Sequence, residues 1–364
     1  MMKMFRSLYS HSNNKYGKII SIILAVIITA CSLGCGKFSV AKDISQTEEI
    51  KIGVCIHNGY EPFVWKIANY MTEWCHAKER ETGIKITIEV LSSKGSQLTQ
   101  NEQVEKFITK GVDILCINLV DRTDPMVIID SAMDADIPVV FFNRELVKED
   151  LDMWDSLYYV GAIAQQSGRL QAEIIIDALS DNERFKEIDT NNNGSIQYVM
   201  LEGESGHQDA LIRTSICTDM LKDAGIPIEK IGDENANWDR DMAKTKMLAL
   251  IERYPTQIEM IIANDDTMAL GALDALNESD YHIKPFIVGV NGDEEALEAI
   301  SIGKMNGSVF NDAEKKADAI MELAYSLVRG EPLPKDVELS FDKYVYLPYK
   351  KITPDNVYEF RNIN

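Results

Sequence analysis

The feature that most constrains the fold of this chain is a repeated alternation of strand-like and helix-like segments that begins at residue 50. The strand-like segments are rich in Val and Ile and almost continuously apolar, which is typical of parallel strands covered on both faces. The stretches between them have helical spacing, as in βαβ units. In the first part of the chain the strand-like segments are Ile50–Ile56, Ile84–Leu91, Val112–Val120 and Ile137–Asn143, and the helical stretches are Phe63–Glu81 and Thr99–Thr109.

The same pattern starts again near residue 195. Three further strand-like segments are Ser195–Gly203, Met260–Asp265 and Phe286–Asn291, and helical stretches accompany them near residues 208–223, 240–253 and 266–277. Each half has enough strands for a parallel sheet with helices on both faces. With 364 residues the chain is long enough for two such units. The sequence therefore predicts an α/β protein with two doubly wound parallel-sheet lobes.

The first thirty residues have the composition of an export signal. They contain four basic residues and no acidic one, and they end in a twelve-residue apolar run from Ile19 to Ala30. That run is too short to cross a bilayer core of about 30 Å, which requires about 20 residues. We therefore expect residues 1–30 to be a secretory signal.

The end of this run also indicates a lipid anchor. Ile28-Thr29-Ala30-Cys31 resembles a lipoprotein cleavage site, which makes Cys31 the expected lipid-bearing residue. Cys35 is a second candidate, and a cleaved signal with two incidental cysteines is the alternative to both. Residues 31–49 would then be a tether. The expected location is extracytoplasmic, either anchored to the outer face of the cell membrane or periplasmic.

Net charge and cysteine spacing argue against a nucleic-acid-binding protein and against a cysteine-ligated metal site. A formal net charge of −21 argues against nucleic acid as a partner, because phosphates would be repelled. Beyond the signal region, Cys55, Cys75, Cys116 and Cys217 are widely spaced and form no C-x-x-C metal motif. Cys55 and Cys116 fall inside apolar strand-like runs, so we expect core thiols, with a disulfide as the open alternative.

Polar and aromatic side chains follow nearly every predicted strand. In open parallel sheets, ligands bind beyond the carboxyl ends of the strands, so these residues are the candidate site. They fall in segments 57–63, 143–145, 203–209, 264–266, 291–293 and 311–312, together with Arg213 and Trp238. Carboxylates, amides and guanidinium groups can hold pairs of sugar hydroxyls, and aromatic rings can cover the apolar face of a sugar ring. Taken singly, the same Asp and Asn residues could simply be turn or helix-cap residues.

No catalytic arrangement accompanies these residues. His207 could act as a base, but the chain has neither a G-x-S-x-G motif nor a recognisable Ser–His–Asp set. A pair of carboxylates could suggest a glycosidase, and no motif supports that function. We therefore expect a binding protein and not an enzyme.

A separate segment, residues 189–197, reads as the first part of a calcium loop. Oxygen-bearing side chains stand at loop positions 1, 3, 5 and 9, a glycine stands at position 6, and a backbone carbonyl is available at position 7. Position 12 is Met200, where a bidentate Glu would be expected, so an acid from elsewhere must complete the shell. The alternative is an Asn-rich turn. The candidate ligands are Asp189, Asn191, Asn193, Ser195 through its backbone oxygen, and Gln197.

With these motifs assembled, the chain from about Ile52 to Phe360 resembles the type I periplasmic sugar-binding proteins of ABC transporters, in particular the galactose/glucose-binding branch. The segment Gly203–Arg213, GESGHQDALIR, is especially similar. The other segments that carry the resemblance are Val112–Asp121, Val139–Glu145, Tyr158–Gly161, Trp238-Asp239, Ile258–Asp266 and Gly307–Ala313.

The resemblance implies two lobes joined by a three-stranded hinge, with a monosaccharide between them and an ABC permease as partner. The lobes would be residues 50–160 with 312–347 and residues 161–311 with 348–364. A monomer is the family expectation. The implied sugar contacts are Asn143, His207, Asp209, Arg213 and Asn311, with Phe63 and Trp238 on the two faces of the ring. Glu259 is the implied distant carboxylate that completes a structural calcium site.

Three positions depart from the family pattern. Glu61 stands where the family has Asp, Asp265 where it has Asn, and Asn291 where it has Asp. The last two amount to an exchange of a carboxylate and an amide. The resemblance therefore predicts a monosaccharide ligand more firmly than it predicts galactose or glucose in particular.

Two other functions are compatible with a similar fold. A sugar sensor that presents its closed form to a chemoreceptor or histidine kinase would have the same binding site. A related transcription repressor would need a basic helix-turn-helix at the N-terminus, where this chain has the predicted signal.

Overall fold

The computed structural model of the protein describes residues 49–335 and 337–361. The predicted signal, with Cys31 and Cys35, lies outside the described residues, as does the tether up to residue 48. The described residues belong to one compact unit. None of the described helices is long and apolar enough to cross a membrane.

The first sheet has six parallel strands in the order β11-β5-β4-β3-β1-β2. Most of it comes from the N-terminal half of the described chain, and β11 returns from near the C-terminus. Its strands are β1 Glu49–Ile56, β2 Lys85–Ser92, β3 Ile114–Ile117, β4 Val139–Phe142, β5 Leu157–Gly161 and β11 Tyr344–Tyr346. Its helices are α1 Pro62–Thr82, α2 Gln97–Lys110, α3 Met126–Asp134, α4 Lys148–Leu151 and α11 Ala313–Arg329.

The second sheet has four parallel strands in the order β7-β6-β8-β9, and a separate antiparallel pair, β10 and β12, adjoins it through single bridges. The strands are β6 Ile196–Glu202, β7 Ile228–Asn235, β8 Met260–Ala263, β9 Phe286–Val288, β10 Ser308–Phe310 and β12 Lys350–Ile352. The helices are α5 Ala164–Leu179, α6 Asn182–Ile188, α7 Gln208–Asp223, α8 Arg240–Arg253, α9 Asp266–Glu278, α10 Glu294–Ser301 and α12 Val357–Phe360.

The predicted strands and helices are confirmed, with boundaries that differ by a few residues. The central strands are fully buried because helices cover both faces of each sheet, as their continuous apolar pattern predicted. Strand β7 escaped prediction because IEKIGDEN is a polar, half-exposed edge strand. The remaining strands that sequence analysis missed, β5, β10, β11 and β12, have only three to five residues each.

Several helices begin directly after a strand, at a side chain that caps them. Asp239, Asp265 and Asp312 each accept a hydrogen bond from the backbone N–H three residues later, which satisfies a donor that the helix itself leaves free. The short strand-to-helix loops place the first helical turns at the carboxyl edge of the sheets. Candidate ligand-binding residues are therefore held by regular structure.

The four cysteines of the described chain, Cys55, Cys75, Cys116 and Cys217, are free and buried, which confirms the core-thiol interpretation. Burial raises the pKa of the Cys55 and Cys217 thiols to about 12. These thiols are therefore protonated and unreactive at neutral pH.

Candidate functional site

A single cavity at the carboxyl ends of the two sheets collects all ten residues that the sequence singled out for sugar binding. Its empty space is about 350 Å³ when the part that opens to solvent is counted. Tyr349, which sequence analysis did not identify, completes the lining. The lining residues are Glu61, Phe63, Asn143, His207, Asp209, Arg213, Trp238, Asp265, Asn291, Asn311 and Tyr349.

Glu61 enters the cavity from the loop after β1, directly before α1. His57 Nδ1 lies 2.6 Å from Oδ1 of Asn118, and Asn118 Nδ2 donates to the carbonyl of Phe142, so Nδ1 of His57 must carry a proton. The opposite ring nitrogen, Nε2, lies 3.1 Å from Oε2 of Glu61. Burial by itself would raise the pKa of Glu61, but the contact with His57 and the charge of Arg144 outweigh it and lower that pKa to about 2. Glu61 is therefore an ionised acceptor.

Two buried aromatic rings belong to the cavity wall, one from each half of the chain. Phe63 stands in the first turn of α1, and Trp238 follows β7 in the left-handed backbone region, with φ +61°. His207 packs edge-on against the indole, with ring centroids 5.2 Å apart. Nε1 of Trp238 is buried and donates to no acceptor among the described residues. The indole N–H is therefore available to a ligand oxygen.

His207 is held as a neutral donor. It caps α7, and its Nδ1 accepts the backbone N–H of Asp209 at 3.2 Å. The proton of a neutral ring must then be on Nε2. Burial and the nearby charge of Arg144 lower the pKa of His207 to about 3, so the ring stays neutral throughout the physiological range. His207 therefore presents one fixed N–H, and nothing in this arrangement activates a nucleophile.

Asp209 and Arg213 lie one turn apart on α7, so both project from one face of the helix. Burial raises the pKa of Asp209, although the positive charges of Arg213 and Lys316 oppose that rise. Arg213 is buried, its Nε donates to Ser167 Oγ at 2.9 Å, and its guanidinium also donates to the carbonyl of Asn264. These two bonds fix the plane of the guanidinium before any ligand arrives.

Asp265 and Asn291 follow two neighbouring strands of the second sheet, β8 and β9. Burial raises the pKa of Asp265 well above its ordinary value, while its Oδ1 accepts the N–H of Met268. Asn291 has φ +126°, a conformation that few non-glycine residues adopt. The carboxylate of Asp266 accepts the backbone N–H groups of Gly292 at 2.7 Å and Asp293 at 2.9 Å, which holds this strained turn in place.

Lys316 is the second residue that sequence analysis missed. It stands in the first turn of α11, only 1% exposed, and its Nζ lies 5.0 Å from the centre of the Phe63 ring. Nζ donates to Oδ1 of Asn311 at 3.1 Å and contacts Oδ1 of Asn143 at 3.4 Å. Burial lowers the pKa of Lys316 to about 8. Its position on the apolar face of α11 could have been found from helical spacing, because Lys316 and Ile320 are four residues apart.

The candidate calcium loop, residues 189–197, is a turn held by hydrogen bonds to its own side chains. Oδ1 of Asp189 accepts the N–H of Asn193, and Asn193 in turn accepts the N–H of Ser195. Glu259 is fully buried; its Oε1 accepts the N–H of Thr190 at 2.7 Å and its Oε2 that of Gln197 at 3.0 Å. The distant carboxylate and the loop are thus brought together.

The donor set of this loop consists of oxygens: two carboxylates, three side-chain amides and a backbone carbonyl. Oxygen-only shells of this kind suit Ca²⁺, whereas zinc requires nitrogen or sulfur. In the described part of the chain, no group of three or more His, Cys, Asp or Glu side chains is close enough to hold a metal ion. A cation at this loop would therefore depend on its amide oxygens, those of Asn191, Asn193 and Gln197.

The two parallel sheets, the cavity at their carboxyl ends and the chain returning through β11 and β12 define a two-lobed solute-binding protein. Residues 52–332 match the periplasmic binding protein domain, and the chain belongs to that family. It is a solute-binding protein and not an enzyme.

Individual relatives share most of the chain. The D-galactose/methyl-galactoside binding periplasmic protein MglB of Haemophilus influenzae is 34% identical over 93% of this chain and 98% of its own length. The ribose import binding protein RbsB of Bacillus subtilis is 26% identical over 88% of this chain and 96% of its own length. The structure of an ABC transporter solute-binding protein from Bacillus halodurans with bound myo-inositol superposes with a TM-score of 0.71 at 26% identity, covering 88% of this chain and 99% of that one.

Proposed function

We propose that the protein captures a monosaccharide between its two lobes, outside the cytoplasm, and delivers it to an ABC permease. The observation that carries the proposal is the cavity itself. Hydrogen-bonding groups of four kinds and two aromatic rings converge on one cavity. Hydroxyl groups are both donors and acceptors, so they match a wall that alternates carboxylates with amide, guanidinium and imidazole donors.

The relatives support a polyhydroxylated ring as the ligand class without deciding which ring. They include proteins described as binding D-galactose or methyl-galactoside, rhizopine and ribose, and a structure that contains myo-inositol. Glu61, Asp265 and Asn291, the three departures from the family pattern, all line the cavity. We propose that they decide which sugar is selected, because a mismatched buried polar pair costs about 1–3 kcal/mol.

Binding would work by closure of the lobes. Glu61 and Asn143 come from the first sheet, whereas Asp209 and Asp265 come from the second, so a ligand gains its full set of hydrogen bonds only when the lobes are together. An ion pair between Arg144 and Glu204 already links the two sides beside the cavity. The ligand would thus shift the population toward the closed form by its higher affinity for that form.

We also propose a structural calcium ion at the loop of residues 189–197. Asp189, Asn191, Asn193, the carbonyl of Ser195, and Gln197 would hold it together with Glu259. The ion would tie the loop to the start of β8 and would not contact the sugar cavity. Support comes from the hydrogen bonds that already join Glu259 to the loop.

The proposed lipid anchor at Cys31, or at Cys35, rests on the sequence alone. Mass spectrometry of the membrane fraction after globomycin treatment tests it, because inhibition of lipoprotein processing should leave the signal attached.

Isothermal titration with a panel of sugars tests the central proposal: galactose, glucose, methyl-galactoside, ribose, xylose, arabinose and mannose. We expect one of them to bind with a dissociation constant at or below the micromolar range and to quench or enhance the fluorescence of Trp238. A Trp238→Leu variant is the control for the fluorescence signal. Absence of saturable binding to any of the seven, from folded protein supplied with calcium, would refute the proposal.

A further inference from the structure

A buried lysine behind the sugar cavity has no assigned role in the site. Lys316 is 1% exposed and does not line the cavity. No carboxylate of the described residues lies within ion-pair distance of its Nζ. A buried ammonium is expensive unless it is paired, so its position calls for a physical reason.

The contacts of Nζ are with two amide oxygens, Oδ1 of Asn311 and Oδ1 of Asn143. An ammonium group can only donate, so whichever end of each amide faces Lys316 must be the oxygen. The NH₂ groups of both asparagines are therefore directed away from the lysine. No described residue accepts a hydrogen bond from Nδ2 of Asn143, which lines the cavity.

The same constraint passes to a third amide. Because Oδ1 of Asn311 is taken by Lys316, its Nδ2 is free to donate, and it lies 3.4 Å from Oδ1 of Asn291. Asn291 then accepts through its oxygen and presents its own NH₂ to the cavity. Lys316 thus settles the orientation of three amides, each of which could otherwise rotate by about 180° and exchange donor for acceptor.

We propose that Lys316 is a specificity-determining positioning residue: it fixes Asn143, Asn311 and Asn291 so that the cavity presents amide N–H donors at Asn143 and Asn291. This inference rests on the proposed sugar-binding function. Glu61, Asp209 and Asp265 supply the carboxylate side of the wall. The ligand would present acceptor oxygens to the amides and hydroxyl donors to the carboxyl oxygens, and an epimer that reverses one of these contacts would be rejected.

The test is Lys316→Met, which keeps the length and apolar stem of the side chain and removes the donors. Lys315→Met is the matched control, because Lys315 is the neighbouring, exposed lysine of the same helix turn. Both are titrated with the seven-sugar panel. For the sugar that binds wild-type protein best, we expect Lys316→Met to lose ten- to hundredfold in affinity, and the ratio between the best and second-best sugar to fall. Lys315→Met should match wild type in both.

Lys316→Gln separates orientation from packing. Gln keeps an N–H donor at a similar distance, so it should recover part of the affinity and of the selectivity ratio lost in Lys316→Met. Thermal melting without sugar verifies that each variant is folded. Wild-type affinity and an unchanged ratio between the best and second-best sugar in Lys316→Met would overturn this inference and leave the proposed function standing. Equal losses of affinity in Lys316→Met and Lys316→Gln would do the same. Failure of wild-type protein to bind any of the sugars would overturn the proposed function and this inference with it.

Discussion

Gly203, the residue that follows β6, is expected to control the position of the cavity tryptophan. A Cβ atom placed on Gly203 would lie 2.0 Å from Cζ2 and 2.1 Å from Cη2 of the Trp238 indole. Carbon atoms in contact stay about 3.5 Å or more apart, so one of the two groups must move by more than 1 Å. The backbone of Gly203 cannot easily yield, because its N–H donates to Asn264 Oδ1 at 3.1 Å and its carbonyl accepts from Asn235. The indole ring must move instead.

Gly203→Ala should therefore impair binding more than folding. Overpacking of a well-packed site costs about 1–3 kcal/mol, and if the ligand-bound state bears that cost the affinity falls by roughly 5- to 150-fold. The measurement is isothermal titration with the best-bound sugar of the panel, alongside thermal melting. Trp238→Leu provides the control background, since a smaller side chain removes the clash. In that background Gly203→Ala should change affinity less than twofold. Wild-type affinity of Gly203→Ala with Trp238 in place would show that the added methyl group does not displace the indole from its binding position.

Three further predictions concern buried charge. Asp209→Asn should weaken sugar binding about a hundredfold, because it removes a carboxylate that we propose accepts sugar hydroxyls. It should not lower the melting temperature, because burial disfavours the ionised form of that carboxylate. A marked loss of stability with intact affinity would contradict this prediction. Excess Ca²⁺ over EDTA should raise the melting temperature of wild-type protein but not that of Glu259→Gln. The variant should be less stable than wild type in both conditions, because Glu259 accepts backbone N–H groups. An equal rise in melting temperature on adding calcium to both proteins would exclude the site. At pH 7, Lys316→Met should exceed wild type in stability by up to about 3 kcal/mol, because the folded pKa of Lys316 is lowered to about 8. The stability of wild type should rise toward that of Lys316→Met between pH 8 and 10.5, because in this range the lysine is protonated in the unfolded chain and neutral in the folded one. A stability difference that does not vary with pH would contradict this prediction.

Much of the fold could be predicted because its signals are local. Val/Ile runs such as Ile50–Ile56 are buried on both faces, and helices α7 and α8 have the bounds that their spacing indicated. What escaped prediction has weak local signals. The polar edge strand β7 lacks the apolar run, and three-residue strands such as β11 form only because a distant strand, β5, offers a partner.

The site residues were predictable for a different reason. Most of them follow a strand, and the parallel topology brings strand ends together, so position in the chain and chemistry indicated the segments to inspect. The family resemblance then selected the individual residues within those segments. Lys316 and Tyr349 belong to the site only through tertiary packing. Lysine is ordinarily exposed, and its burial against Asn143 depends on how α11 returns to the first sheet. Amide orientation likewise depends on partners that are far away in sequence.

The backbone is strained at several of the residues that we propose bind the ligand. Asn143, Trp238 and Asn291 all have positive φ, a costly conformation for residues with a side chain. Together with the buried ammonium group of Lys316, this strain indicates that the cavity is organised for a ligand at the expense of stability. A bound sugar would offset that cost by pairing the free donors and acceptors.

A crystal structure of residues 47–364 with the sugar selected by titration tests the proposed site most directly. We expect one ring between Phe63 and Trp238, with its hydroxyls on Asp209 and Arg213 and an acceptor oxygen at Nδ2 of Asn143. A sugar bound at another place, or in this cavity with neither aromatic ring on its faces, would contradict it.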